Sequence, residues 1–262
     1  MGHRTGRTSN RSNEIGHDLP AHPSVTDRYI GRMKHLSLAL MAFLSLAISA
    51  ASQENPGTIT GVVLFTGNVP APKNIVTTDG GIIKHSDLVV DPKTKGLRFV
   101  VATLEDAPVQ PKLKKANPVL LDQKDMVFLP RVVAVQHGQA VQFDNSDLCN
   151  HSVMAASTVR EDQFNLFVAQ GKPIEHVFSV QKHPVQISCS IHAWMRAWVY
   201  VVPHPWFAIT DEKGRFSIER VPPGKYTLLL RHADSGQLER RHVEIASGKV
   251  TEVKVEWSNA RN

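Results

Sequence analysis

Val185-Gln-Ile-Ser-Cys189-Ser-Ile-His192-Ala-Trp-Met195-Arg-Ala-Trp-Val-Tyr-Val-Val202 decides how this chain is read. The runs Val185–Ser188 and Arg196–Val202 are short, rich in β-branched and aromatic residues, and long enough only for strands. Between them lies one tight loop. It carries a thiol, an imidazole and a thioether at every third position, Cys189, His192 and Met195, so three soft or borderline donors can converge on one ion. A fourth donor, His151, follows the strand-like run Ala140–Asp144 and lies 38 positions before Cys189. Such a separation is natural for neighbouring strands of a Greek key.

Two imidazoles and a thiolate in a trigonal plane, with a weak axial thioether, form the ligand set that favours copper held for electron transfer. Cu(II) prefers tetragonal nitrogen and oxygen donors, whereas Cu(I) accepts sulfur-rich sites of low coordination number. A site between the two changes little on electron uptake. Zinc gains little from a thioether, and no haem attachment pattern is present. Trp194, inside the loop, reads either as a cover for the core or as an apolar rim around the edge of His192, where a partner would dock.

Outward from this loop, the whole chain bounds the remaining possibilities. It has 262 residues, 42% hydrophobic and 21% charged, which is ample for a buried core and unlike a disordered chain. Only two cysteines are present, so a disulfide miniprotein and a multi-cysteine metal array are excluded. The formal charge of +6 falls to +3 once residues 1–50 are set aside, so nucleic acid is not an expected partner. No paired-carboxylate, Ser/His/Asp or phosphate-cradling pattern stands out, so neither an enzyme nor a small-molecule substrate is expected.

Residues 33–51 begin with Met33-Lys34-His35, continue through an apolar run from Leu36 to Ile48 and end in small residues, the pattern of a signal peptide cleaved near Ala50 or Ala51. An uncleaved anchor is the other reading of the same run. Residues 1–32 lack apolar periodicity and read as a disordered extension or as sequence upstream of a true start at Met33. The mature protein is then expected outside the cytoplasm, periplasmic or extracellular.

After the signal, the strand-like runs are Thr58–Thr66, Leu97–Leu104, Val132–Gln136, Ala140–Asp144, Val185–Cys189, Ala197–Val202, Gly214–Glu219, Tyr226–Arg231 and Val250–Trp257. No window keeps a helical period, so the fold class is all-β. The polar, Lys- and Pro-containing stretch Glu105–Asn117 reads as a loop or linker. Prolines on both sides of His204 end a strand and start a new module. The division that follows is a β segment at 57–119, a metal domain at 120–203 and a C-terminal sandwich at 204–262. In the last, Asp211-Glu-Lys-Gly214 reads as a hairpin turn, with Phe216 and Ile218 on one face.

Cys-x2-His-x2-Met at Cys189, His192 and Met195, with His151 upstream, resembles the blue-copper cupredoxins of the plastocyanin and amicyanin type. The lead-in Arg131–Phe143 is similar to that family's two strands joined by a Gly-containing turn, and Val141-Gln-Phe-Asp-Asn145 to the strand leading to the first histidine. The resemblance implies a Greek-key sandwich, one copper per chain cycling between Cu(I) and Cu(II), a redox partner protein whose identity is open, and supporting roles for Asn145 and Ser152. Ser152 stands where many relatives have an Asn that ties the two ligand loops together. Ile191 stands where many have Pro. Residues 207–230 resemble the carboxypeptidase-regulatory-like, or transthyretin-like, β-sandwich, and Gly57–Gly67 looks like the first strand of the same module. The whole arrangement is similar to exported methylamine-utilisation-type proteins that join the two.

Two other readings stay open. One is a copper-binding or delivery protein with no redox circuit. The second is a structural or ligand-binding sandwich in which Cys149 and Cys189 form a disulfide, as paired cysteines of exported proteins commonly do. If they do not pair, Cys149 is expected to be a small buried apolar residue.

Overall fold

Alternation sets the inward face of each strand. In Gly57–Phe65 it sends Ile59, Val63 and Phe65 into the interior, and in Arg215–Val221 it buries Phe216 and Ile218, as expected. The computed structural model describes residues 55–77 and 80–258, so the extension at 1–32 and the signal-like run at 33–51 lie outside the described residues. Among the described residues there are eighteen strands and one turn of 3-10 helix, Arg160–Asp162, and no helix is long and apolar enough to cross a membrane. The protein is all-β.

In chain order the strands are β1 (Gly57–Phe65), β2 (Lys73–Val76), β3 (Ile82–His85), β4 (Val101–Leu104), β5 (Val119–Lys124), β6 (Val127–Leu129), β7 (Val132–Gln136), β8 (Val141–Asn145) and β9 (His151–Ala156). They continue with β10 (Phe164–Val168), β11 (Ile174–His176), β12 (Val185–Ser188), β13 (Arg196–Val202), β14 (Phe207–Ile209), β15 (Arg215–Val221), β16 (Gly224–His232), β17 (Gln237–Ile245) and β18 (Val250–Trp257).

The middle of the chain folds as two facing sheets, β10-β9-β12-β13-β7 and β11-β8-β5-β6. Their inner faces share one core, in which Leu121, Phe143, Ile187, Met195 and Val199 are fully buried. Phe143 meets Phe164 and Phe178 edge-on, with ring centroids 6.2 and 6.3 Å apart. A second core belongs to β15-β1-β18 and β14-β4-β16-β17, built on Ile59, Leu97, Leu104, Trp206, Leu228 and Val255. The first strand of the described chain thus pairs with the last, β1 running parallel to β18 from Thr58 to Phe65.

A third, small cluster of Val101, Val132 and Tyr200 joins the two halves. Beside it Asp234, almost wholly buried, lies 2.8 Å from Arg131 Nε and 3.1 Å from Arg196 Nη2, and accepts the Trp198 indole N–H at 2.8 Å. Asp87 Oδ1, 2.7 Å from Arg196 Nη2, extends the network. Arg196 directly follows Met195, so the accessory sandwich braces the chain where it leaves the ligand loop.

Some expected elements differ. The strand expected from Leu97 starts only at Val101, because Phe99 sits in the left-handed region at φ 70° and breaks the run. The turn Asp211–Gly214 forms, with the Asp211 carboxylate accepting the N–H groups of Lys213 and Arg215, both at 2.8 Å, and Gly214 at φ 74°. It does not close a hairpin: β14 pairs with β4 and β15 with β1, so the turn carries the chain from one sheet to the facing one.

Candidate metal centre

Strand register brings the donors together. β9 and β12 are antiparallel, with Ser188 opposite Met154 and Ile187 opposite Ala155, so the end of β12 lies beside the start of β9. Cys189 follows the first and His151 opens the second. The ligand loop then doubles back on itself: Cys189 N–H donates to the Met195 carbonyl at 3.2 Å, and Met195 N–H to that of His192 at 3.0 Å. His192 is thereby turned toward the same point.

His151, Cys189 and His192 are all buried and can together hold a metal ion. Cys189 Sγ lies 3.7 Å from His192 Nδ1 and 4.0 Å from His151 Nδ1, and the two Nδ1 atoms are 3.0 Å apart. The point equidistant from the three atoms falls inside the triangle, about 2.1 Å from each, the length of a metal bond to nitrogen and about 0.2 Å short of one to sulfur. Three buried donors facing one another can hold one shared cation.

The electrostatics agree. Burial pushes the Cys189 thiol up, but the His151 ring and the backbone N–H groups of Ser152, His192 and Ile191 outweigh it, and the pKa falls to about 5. Burial lowers the His151 pKa, yet Cys189 and Asp147 beside the ring leave it raised. The sulfur is therefore a thiolate at neutral pH, ready to bind a cation.

Ser152 ties the two loops together. Its N–H donates to Cys189 Sγ at 3.4 Å, and its hydroxyl accepts the Ser190 N–H at 2.8 Å while lying 2.7 Å from the Ser190 hydroxyl. Asn145 acts one step further out. Its amide donates to the Cys149 and Val168 carbonyls, each at 3.0 Å, and its oxygen accepts the Asp147 N–H at 3.0 Å, which fixes the loop that ends in His151. Met195 is fully buried in the core that also contains Cys189. The Trp194 indole N–H donates to the Met126 carbonyl at 2.9 Å, and its ring centroid lies 5.2 Å from that of His192.

Cys149 and Cys189 form no disulfide. Cys189 points inward to the imidazoles, whereas Cys149 is exposed on the loop before β9, with its sulfur 3.4 Å from Met126 Sδ. The disulfide reading is overturned, and so is the expectation that Cys149 is buried. His204, between its prolines, is structural: its Nε2 donates to the Leu104 carbonyl at 2.7 Å.

Sequence reasoning missed Asp147. Its Oδ2 accepts the His151 Nε2–H at 2.9 Å, and its two oxygens accept the N–H groups of Asp125 and Met126 at 2.7 and 3.0 Å. A carboxylate on Nε2 fixes the tautomer that leaves Nδ1 as a lone pair facing the other donors. An acid four residues before the first histidine was the only sign.

No family model matches the sequence, and no curated protein sequence does. Among solved structures, the chain is similar to a copper-containing nitrite reductase from Thermus scotoductus SA-01, at 21% identity and TM-score 0.30, over 36% of this chain and 24% of that one. It thus spans about a quarter of that protein's length. It is also similar to a purple cupredoxin from Nitrosopumilus maritimus, at 20% identity and TM-score 0.28, over 32% of this chain and 98% of that one. A reduced variant of amicyanin matches at 18% identity and TM-score 0.30, over 38% and 97%.

Proposed function

We propose that His151, Cys189 and His192 hold one copper ion per chain, with Met195 as a weaker fourth donor, and that the protein is an exported one-electron carrier. The observation that carries this reading is the closed triangle of two imidazole nitrogens and one low-pKa thiolate. A three-donor plane with one thiolate suits copper better than zinc, whose structural sites take four strong ligands in a tetrahedron. When bound, copper supplies a one-electron couple.

The chain supplies the rest. Ser152, Asn145 and Asp147 hold the ligand loops in one geometry, so the donors need not rearrange between oxidation states. The core excludes water from the sulfur, and the three ligands are almost wholly shielded, which leaves an electron, rather than a substrate molecule, as what passes. Ile191 next to His192, Phe167 paired with Ser152 and Leu148 on the loop before His151 expose apolar side chains that suit a protein redox partner. Residues 120–203 then form the metal domain, while 57–119 and 204–262 form the accessory sandwich that braces it. Export rests on the pattern of residues 33–51.

Voltammetry of the copper-loaded full chain tests the carrier role. A reversible one-electron wave without loss of metal is expected. Release of the ion on reduction would favour the other reading, copper delivery, which has on its side the sulfur of exposed Cys149 beside that of half-buried Met126.

A further inference from the structure

Behind the His151 ring, on the side away from Cys189, lie two more sulfur atoms. Cys149 Sγ is 3.4 Å from Met126 Sδ and 3.4 Å from His151 Nε2, and Asp147 Oδ2 is 2.9 Å from the same nitrogen. Donor atoms of Asp147, Cys149 and His151 all lie within 4.8 Å of one another. The donor types differ from those of the buried triangle: an exposed thiol and a half-buried thioether, next to a carboxylate.

The position of Met126 is unusual in its own right. Asp125 and Met126 form the two-residue turn between β5 and β6, with φ of 54° and 61°. Such turns ordinarily take Asn, Asp or Gly, because other side chains are disfavoured at positive φ. Here the conformation is held from both sides, by the Asp147 carboxylate on the N–H groups of Asp125 and Met126 and by the Trp194 indole on the Met126 carbonyl. Those bonds fix the backbone of the residue whose thioether meets Cys149.

We propose that Cys149 and Met126 form a second, solvent-facing site for a soft monovalent cation, Cu(I) or Ag(I), with the Asp147 carboxylate supplying nearby negative charge. This deepens the copper reading above, on which it rests only in taking copper as the natural cargo. Thiolate and thioether are the ligands that select Cu(I). Two sulfurs each about 2.3 Å from one ion stand at most about 4.6 Å apart, so a separation of 3.4 Å lets both touch the same ion. Binding forms a metal–sulfur bond at Cys149 and releases the thiol proton to solvent. No electron moves, because the ion arrives as a monovalent cation. An outer ion of this kind sits against the back of a ligand of the inner site, where incoming metal would first be caught.

Native mass spectrometry of the full chain titrated anaerobically with Ag(I) tests this. Two ions per wild-type chain are expected, with one in Cys149→Ser and one in Cys189→Ser. Met126→Leu, which keeps side-chain volume, should lose the outer ion in the presence of a competing chelator and keep the inner one. Equal stoichiometry in wild type and Cys149→Ser would overturn the proposal. So would an unchanged outer ion in Met126→Leu, which would mean an adventitious thiol only. Cu(II) colour separates the two readings: if the wild type stays colourless yet loses an Ag(I) in Cys149→Ser, the inner assignment fails and the outer one survives.

Discussion

The carboxylate of Asp147 accepts the Nε2–H of His151 at 2.9 Å, on the ring edge opposite the nitrogen that faces Cys189. This one bond sets both the tautomer and the aim of a buried imidazole. Asp147→Ala should therefore weaken copper binding by about 10- to 100-fold. Competition titration against a chelator reads this directly, and an unchanged affinity would show that the ring is oriented by packing alone.

Ser152 offers a second handle on the same geometry. Its hydroxyl is the acceptor for the Ser190 N–H, next to the thiolate. Ser152→Ala removes that acceptor from a donor on an exposed residue and should destabilise the apo-protein by about 0.5–1.5 kcal/mol. Urea denaturation should show a lower midpoint with an unchanged slope. A midpoint equal to wild type would mean that the loops are joined elsewhere.

Asp234 tests the junction between the two sandwiches. It is almost wholly buried and lies within 3.1 Å of side-chain nitrogens of Arg131, Arg196 and Trp198. Arg196 keeps Asp87, but Arg131 is left, among carboxylates, with only the longer 3.4 Å contact to Asp87, and the Trp198 indole N–H loses its acceptor, so Asp234→Ala should cost about 1–3 kcal/mol. Lys254→Ala, which breaks the exposed pair with Glu256, should cost less than about 1 kcal/mol. Similar losses for both variants in chemical denaturation would contradict the junction's role.

Acid sensitivity should come in part from His232. Burial pushes its pKa from 6.5 down to about 4, with Arg131 adding to the shift and Asp234 and Asp87 opposing it. Between those values the unfolded chain binds more protons than the folded one, so stability rises as pH rises from about 4 to 6.5 and is lost on acidification. The contribution is on the order of 3 kcal/mol. His232→Asn should flatten this part of the profile, and a denaturation series across pH would expose a wild-type slope if it persisted.

The residues that announce themselves in the sequence are those with unusual donor chemistry at short spacing. Cys189, His192 and Met195 could be read from one loop, and His151 from the strand before it. Strands with one wet and one dry face were equally plain, as at β15 and β18. β9 was not, because His151, Ser152, Val153 and Ala155 are all buried and alternation disappears. Nor was β17, whose charged run Glu239-Arg-Arg241 reads as a solvated loop until pairing with β16 places it at a sheet edge. Asp147, Met126 and Cys149 acquire meaning only through the β5–β6 turn, which approaches them from more than twenty residues away. Sequence spacing carries no signal of that kind.

The central claim is that the Cys189 sulfur binds copper together with His151 and His192. Visible absorption of the full chain after addition of Cu(II) tests it most directly. Thiolate bonded to Cu(II) should give an intense blue or green band in the wild type and in Cys149→Ser, and none in Cys189→Ser, with far-UV circular dichroism unchanged in all three. A colourless wild type, or a band that survives in Cys189→Ser, would contradict the account.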